Sequence, residues 1–305
     1  MKQAYLKYIA SLLLFGSNGI VASCILLSSY EIVFLRTMIG SLLLVGLFAL
    51  TTKRRMPLRK GNTEGCAGWC SVVFLTISGA AMGASWMFLY EAYQQIGVGI
   101  ASLAYYCGPV IVMVLSPALF HERMTWPKIV GFLTVLCGIC CINMQALHEG
   151  KTGWGVLCGL MSAVMYAFMV ICNKKAAGVT GLRNAMGQLC ISFVTVAVFV
   201  GIKQGFAIRI MGEDWLPILF LGMINTGIGC YFYFSSIGGL AVQTVAVCGY
   251  LEPLSAVVLS VLCLGETMRP VQIVGAALIL GGALFAECVS ARLTGGQMTE
   301  SPCNR

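Results

Sequence analysis

Glu252 and Pro253 stand side by side in CGYLEPLSAV (248–257), with the apolar IGGLAVQTVAV before them and VLSVLCLG after. An ionised carboxylate inside such a run costs several kcal/mol unless it is paired, hydrated or protonated, so its side chain is expected to face a protein interior or a cavity. Three chemistries are open to it: contact with a substrate's ammonium group, carriage of a proton, or a hydrogen bond that holds a kinked helix to its neighbour. Pro253 removes a backbone donor, and the carbonyls this frees in the preceding turn can bind water, substrate or a nearby hydroxyl.

Aromatic residues form the second constellation. Trp86, Tyr90 and Tyr93 fall at i, i+4 and i+7, so they share one face of a helix. Rings with polar tips suit an amphipathic metabolite, to which they offer stacking, cation-π attraction and hydrogen bonds. Trp86, Tyr106, Tyr166 and Tyr250 lie deep within their apolar runs and are candidates to line a cavity. Tyr90 and Tyr93 lie nearer an end, where tyrosine marks the headgroup belt or a gate. Asn18 and Asn225 are amides in apolar runs, serving as interhelical glue or as cavity lining. The candidate substrate-binding set is therefore Glu252, Trp86, Tyr106, Tyr166, Asn225, Tyr250 and Asn18. Arg36 is read as structural, either paired with Glu31 or snorkelling outward, and Glu91 as solvated.

Other chemistries find no support. The histidines are His121 and His148, and HERMT (121–125) lacks the second histidine of a zinc-protease helix. Cys137, Cys140 and Cys141 have no histidine or carboxylate beside them, and cysteine within an apolar run behaves as a small hydrophobe. Neither an enzyme nor a cofactor is expected.

The elements that must position these residues follow from the solvent. Hydrophobic residues make up 59% of 305, charged residues only 10%, and the mean hydropathy is +0.90; so little polar surface cannot cover a water-soluble globule, and the partner is a lipid bilayer. A helix of about 20 apolar residues crosses the hydrocarbon layer. Ten such spans are legible: 5–27, 31–50, 69–90, 97–119, 126–146, 153–172, 183–202, 214–235, 239–263 and 269–289. The expected fold is an all-α integral membrane protein of ten transmembrane helices.

Lysine and arginine set the orientation. With a cytoplasmic N-terminus, the inside segments hold clusters such as Lys53-Arg54-Arg55, Arg59-Lys60 and Lys174-Lys175, while the outside segments hold Lys151, Lys203, Arg209 and Arg269. That bias places both termini inside, and the net charge of +8 reports topology, with no nucleic-acid partner implied.

An internal repeat connects the spans. At an offset of 144, Gly83 falls on Gly227, Phe88 on Phe232, Pro109 on Pro253, Glu122 on Glu266 and Ile129-Val130-Gly131 on Ile273-Val274-Gly275. FLRTMIGSL (34–42) matches GLRNAMGQL (181–189) at an offset of 147. The first repeat is expected over 1–148, the second over 149–292, with a short cytoplasmic tail at 293–305. Five spans per copy is an odd number, so the copies enter the membrane in opposite senses. Inverted repeats of this kind are how many secondary transporters build two alternative gates around one central site.

FGSNGI in span one, FLRTMIGSLLLV in span two, LEPLSAVVLSVLCLGE in span nine and VQIVGAALILGGALF in span ten resemble the drug/metabolite transporter superfamily, in particular its ten-helix EamA-type members. The resemblance covers about residues 5–290. It implies a pseudo-two-fold bundle whose cavity is lined by helices 1, 3, 4, 6, 8 and 9. The expected function is alternating-access transport of a small metabolite across the cell membrane, an exporter of an amino acid-like compound, with protons as a second partner. A cationic drug or a nucleobase is the alternative cargo, and a receptor or subunit without transport the distant one.

Overall fold

The computed structural model describes residues 2–54, 65–105, 107–120, 126–148, 153–176, 179–203, 205, 206, 208, 210–237, 240, 249, 251–265 and 270–298. Among these the regular structure is helical, and no strand occurs. Span one is broken at Ser17 into α1 (Lys2–Gly16) and α2 (Asn18–Ser23), and span two is α3 (Ser29–Arg54). Span three is α4 (Gly65–Ile96), and span four is described as helix on both sides of residue 106, as α5 (Val98–Tyr105) and α6 (Cys107–Phe120). Spans five, six and seven are α7 (Trp126–His148), α8 (Gly153–Lys175) and α9 (Gly181–Lys203). Span eight runs from a 3-10 turn (Gly212–Asp214) through α10 (Trp215–Leu219) and a π-helical stretch (Phe220–Ile228) into α11 (Gly229–Ser236). Span nine is described from α12 (Leu251–Leu264), and span ten is α13 (Pro270–Met298).

Spans one, two, three, six, seven and eight are long and apolar enough to cross a membrane, while shorter apolar helices represent four, five and ten. The tenfold count therefore stands on the sequence for spans four, five, nine and ten. Pro270 opens α13 and Pro127 is the second residue of α7, first-turn positions at which a missing N–H leaves no hydrogen bond unmade. Gly97, at φ +83°, makes the sharp reversal between spans three and four, a left-handed conformation that a side chain would strain.

The distribution of polarity is that of a protein dissolved in lipid. Leu6, Leu26, Leu42, Leu50, Ile202 and Leu216 point outward, each at least 65% exposed, whereas Ser11, Ser78, Ser85, Ser162, Gln188 and Ser192 are buried between helices. Trp69, Trp126, Trp154 and Trp215 are exposed near the ends of their helices, the position of an aromatic belt. Trp86, the remaining tryptophan, is 9% exposed and sits mid-helix.

Contacts between helices come in matched sets. Span three packs on six and seven, and span eight on one and two; four lies on six as nine lies on one, and five pairs with ten. The closest approaches repeat the pattern in atomic detail. A Cβ added to Gly138 of α7 would stand 2.6 Å from the Gly275 carbonyl oxygen of α13, and one added to Gly282 would stand 2.9 Å from the Gly131 carbonyl. Gly131 and Gly275, like Gly138 and Gly282, are 144 positions apart. Two backbones in contact through glycine on both sides gain dispersion along their length, which is the principal attraction between helices in lipid.

Hydrogen bonds between spans tie one end of the bundle. Leu26 N–H donates to Asp214 Oδ1 at 3.0 Å, Ser29 Oγ to Glu91 Oε2 at 2.6 Å and Gln94 Nε2 to the Leu27 carbonyl at 3.0 Å. The turn between spans one and two is thereby held to spans three and eight. Glu91, expected to be solvated, is one of these ties.

Candidate functional site

A small cavity, with about 30 Å³ of free space, lies within the bundle. Spans one, three, four, six, eight and nine each contribute to its wall. Phe15 and Asn18 come from span one, and Met82, Ser85, Trp86, Leu89 and Tyr93 from span three. Tyr105 comes from span four, Tyr166 and Met169 from span six, Cys230, Tyr233 and Phe234 from span eight, and Glu252 from span nine.

Of the residues singled out from sequence, Glu252, Trp86, Tyr166 and Asn18 meet at this cavity. Asn225 stands one layer back. It is fully buried, and its Nδ2 donates to Ser17 Oγ at 2.9 Å and to Asn18 Oδ1 at 3.1 Å, so it orients a wall residue from behind. Ser17 is where span one breaks, and its own hydroxyl turns back to the Leu14 carbonyl. Tyr106 and Tyr250 lie outside the described residues.

Three placements differ from the sequence reading. Tyr90 is no belt residue: it is 1% exposed and accepts a hydrogen bond from Arg36 Nη1. Tyr93 lines the cavity and packs tilted against Tyr90, ring centroids 5.3 Å apart. Arg36 neither snorkels nor reaches Glu31, which binds the N–H and hydroxyl of Ser28 instead. The guanidinium turns inward because α3 aims it across the interface with α4, where two aromatic faces are available. Its Cζ is 4.5 Å from the Trp86 ring centroid and 5.0 Å from that of Tyr90. Tyr105 and Tyr233 are wall residues missed as candidates. Repetition held the missing signal for Tyr233, whose offset partner Leu89 also lines the cavity.

Glu252 and Pro253 lie side by side in α12. Span one approaches this pair closely. A Cβ on Gly16 would stand 2.8 Å from the Glu252 carbonyl oxygen and would collide with the Ser255 hydroxyl, which itself donates to that carbonyl at 2.8 Å. The repeat partner of Glu252 is Gly108, and its environment accounts for the asymmetry: a Cβ there would stand 2.6 Å from Tyr166 Cδ1. Only a residue without a side chain lets Tyr166 reach Tyr233, hydroxyl to hydroxyl at 3.3 Å, across the cavity. Tyr105 packs edge-on against the Tyr166 ring at 5.2 Å.

The π-helical stretch of span eight gives neighbouring residues different tasks. Asn225 serves the break in span one, while Thr226 accepts from Arg36 Nε at 2.9 Å and donates to the Leu221 carbonyl five residues back. A helix with wider turns presents this polar pair to spans one and two together. Between spans three and six the corresponding contact is a reciprocal serine pair: Ser85 Oγ donates to the Ser162 carbonyl at 2.9 Å and Ser162 Oγ to that of Ser85 at 2.8 Å. Ser162 is the offset partner of Asn18.

A membrane-type helical bundle enclosing a polar-and-aromatic cavity has the architecture of a membrane transporter, and the family match makes it one. The chain belongs to the EamA-like transporter family, whose sequence model matches twice, over residues 2–144 and 153–287. It is 24% identical to the uncharacterized transporter YxxF of Bacillus subtilis, over 92% of this chain and 88% of that one. A protein of Streptantibioticus cattleyicolor named "Probable terminal-alkyne amino-acid exporter" is 28% identical over 68% of this chain and 71% of its own length. One crystal structure superimposes with a TM-score of 0.68 at 20% identity, covering 96% of this chain and 99% of the other, a likeness of fold. The protein is thus a multi-pass membrane transporter of small molecules.

Proposed function

We propose that this transporter carries a small amino acid-like metabolite out of the cell across the cytoplasmic membrane by alternating access. The observation that carries the reading is the composition of the cavity wall: a carboxylate, Glu252, among the rings of Trp86, Tyr93, Tyr105, Tyr166 and Tyr233. A carboxylate attracts an ammonium group, and aromatic faces accept both the cation and an apolar side chain. The relative named as an amino-acid exporter supports the same cargo.

In this reading residues 1–148 and 149–292 are inverted repeats, and 293–305 is a cytoplasmic tail. The matched helix pairings and the reciprocal glycine contacts of α7 and α13 support that division. One repeat rocks against the other, and the charge bias puts both termini in the cytoplasm. Glu252, Trp86, Tyr166 and Asn18 bind substrate directly, Asn225 positions Asn18, and Tyr106 and Tyr250 complete the set. Glu252 also exchanges a proton during the cycle, the work expected of an intramembrane acid lining a cavity.

The test is flux into proteoliposomes of amino acids, nucleobases and cationic drugs, with and without a pH gradient, for the wild type and Glu252→Gln. Amino-acid flux that responds to the gradient, with the response lost in Glu252→Gln, is the expected result. Flux confined to drugs or nucleobases transfers the cargo to those classes, and a variant equal to the wild type under every condition removes Glu252 from the site.

A further inference from the structure

Arg36 is the one described charge at the core of spans two, three and eight that the transport reading leaves unused. It is 1% exposed. Its hydrogen-bond partners are the neutral hydroxyls of Tyr90 and Thr226, and its Cζ stands over the rings of Trp86 and Tyr90. Nη2 has no hydrogen-bond partner among the described residues. The carboxylates on its own and the facing helix are occupied elsewhere, Glu31 by Ser28 and Glu91 by Ser29. Asp214, at the start of span eight, holds the Leu26 N–H. A guanidinium that served only to clamp helices would be expected to spend all its donors on them, and a buried cation normally finds an anion.

What a further anion would face is set by the aromatic layer, across which Arg36 and Glu252 already attract each other. Trp86 offers its ring to Arg36 and also lines the cavity; Tyr90 binds Arg36 and packs against Tyr93, which lines the cavity. One layer of rings therefore separates the guanidinium from the substrate space. At that separation, in a medium of low dielectric, a charge acts strongly on the cavity's contents. Glu252 is the acidic side chain in the wall. We propose that Arg36 is the positive pole of the binding cavity, selecting the carboxylate of a zwitterionic substrate whose ammonium group faces Glu252.

The two poles together predict a preference that neither predicts alone. A simple amine meets the field of Arg36, a simple acid meets that of Glu252, and the zwitterion gains from both. The inference rests on the amino acid-like cargo proposed above and deepens it.

Equilibrium binding to the purified full-length chain in lipid nanodiscs tests it, with phenylalanine, phenethylamine and 3-phenylpropanoate as probes. They share a ring and a chain and differ in charge. The wild type is expected to bind phenylalanine at least about tenfold more tightly than either analogue. Arg36→Met should lose that margin over phenethylamine while binding phenethylamine at least as well as the wild type, and Arg36→Lys should keep part of it. A wild type that binds phenethylamine as tightly as phenylalanine overturns the inference without recourse to a variant. So does a folded Arg36→Met that retains the margin, or one that loses all three probes alike, the mark of a structural clamp. If the wild type binds none of the three, the amino-acid reading of the cavity falls with it; if phenylalanine binds and the margin ignores Arg36, only this inference falls.

Discussion

Single residues in this protein announce themselves by contrast with their surroundings, and the contrast is informative to different degrees. Glu252 stood out because a carboxylate within an apolar run is an anomaly one letter wide. Arg36 was equally conspicuous, but its role depends on Thr226 and Tyr90, which lie 190 and 54 positions away. Nothing local distinguishes an arginine that snorkels from one that turns inward. Gly108 is the reverse case, an unremarkable glycine until Tyr166 is seen to occupy the space a Cβ would need. Gly108→Ala should displace the Tyr166 ring and destabilise the protein by about 1–3 kcal/mol, the usual range for overpacking. Transport in proteoliposomes should fall more steeply than stability, because the displaced ring is in the cavity wall. A variant with wild-type melting and wild-type flux would show that the wall tolerates the shift.

At the level of the helices, packing in lipid depends on close backbone approach rather than on expulsion of water. The pairing of α7 with α13 makes this measurable because both members of the contact use glycine twice. Gly138→Leu and Gly282→Leu should each lower the melting temperature in detergent, by amounts close to one another, since each forces a side chain against the partner's backbone. Unequal effects would mean that the two-fold relation does not extend to this pair. The element boundaries show where periodicity runs out. Span one reads as a single apolar run, yet it breaks at Ser17. The break in span one is sustained by Asn225 and by the bond from Ser17 to Leu14, contacts that hydropathy does not register. The π-helical turns of span eight are invisible for the same reason, because a hydrophobic run has the same letters at either pitch.

For the molecule as a whole, the membrane is the organising solvent, and it inverts the polarity of an ordinary globule: leucine and isoleucine outside, serine, asparagine and glutamine between helices. Topology is the property of this scale most open to test. Green fluorescent protein fused after the C-terminus, and separately before the N-terminus, should fluoresce in both cases. Alkaline phosphatase inserted near Lys151 or Lys203 should be active, because those loops are assigned to the outside by the charge bias. Activity of a phosphatase fusion at the C-terminus would exclude an even number of spans with the N-terminus inside.

The letters alone determined the solvent, the near-ten-fold alternation of apolar runs and polar breaks, the duplication at offset 144, and the suspicion attached to Glu252, since each is a property of composition or of spacing along the chain. Hydropathy and repetition survive without coordinates because they are sums and correlations over neighbouring positions. Tertiary structure decided which side chains meet: that Glu252, Trp86, Tyr166 and Asn18 share one cavity with Tyr105 and Tyr233, that Asn225 stands behind it, and that Arg36 faces inward across an aromatic layer. Those facts depend on the rotation of each helix about its own axis. In a bundle with weak amphipathic signal, that rotation is set by glycine contacts and interhelical hydrogen bonds between residues far apart in the chain.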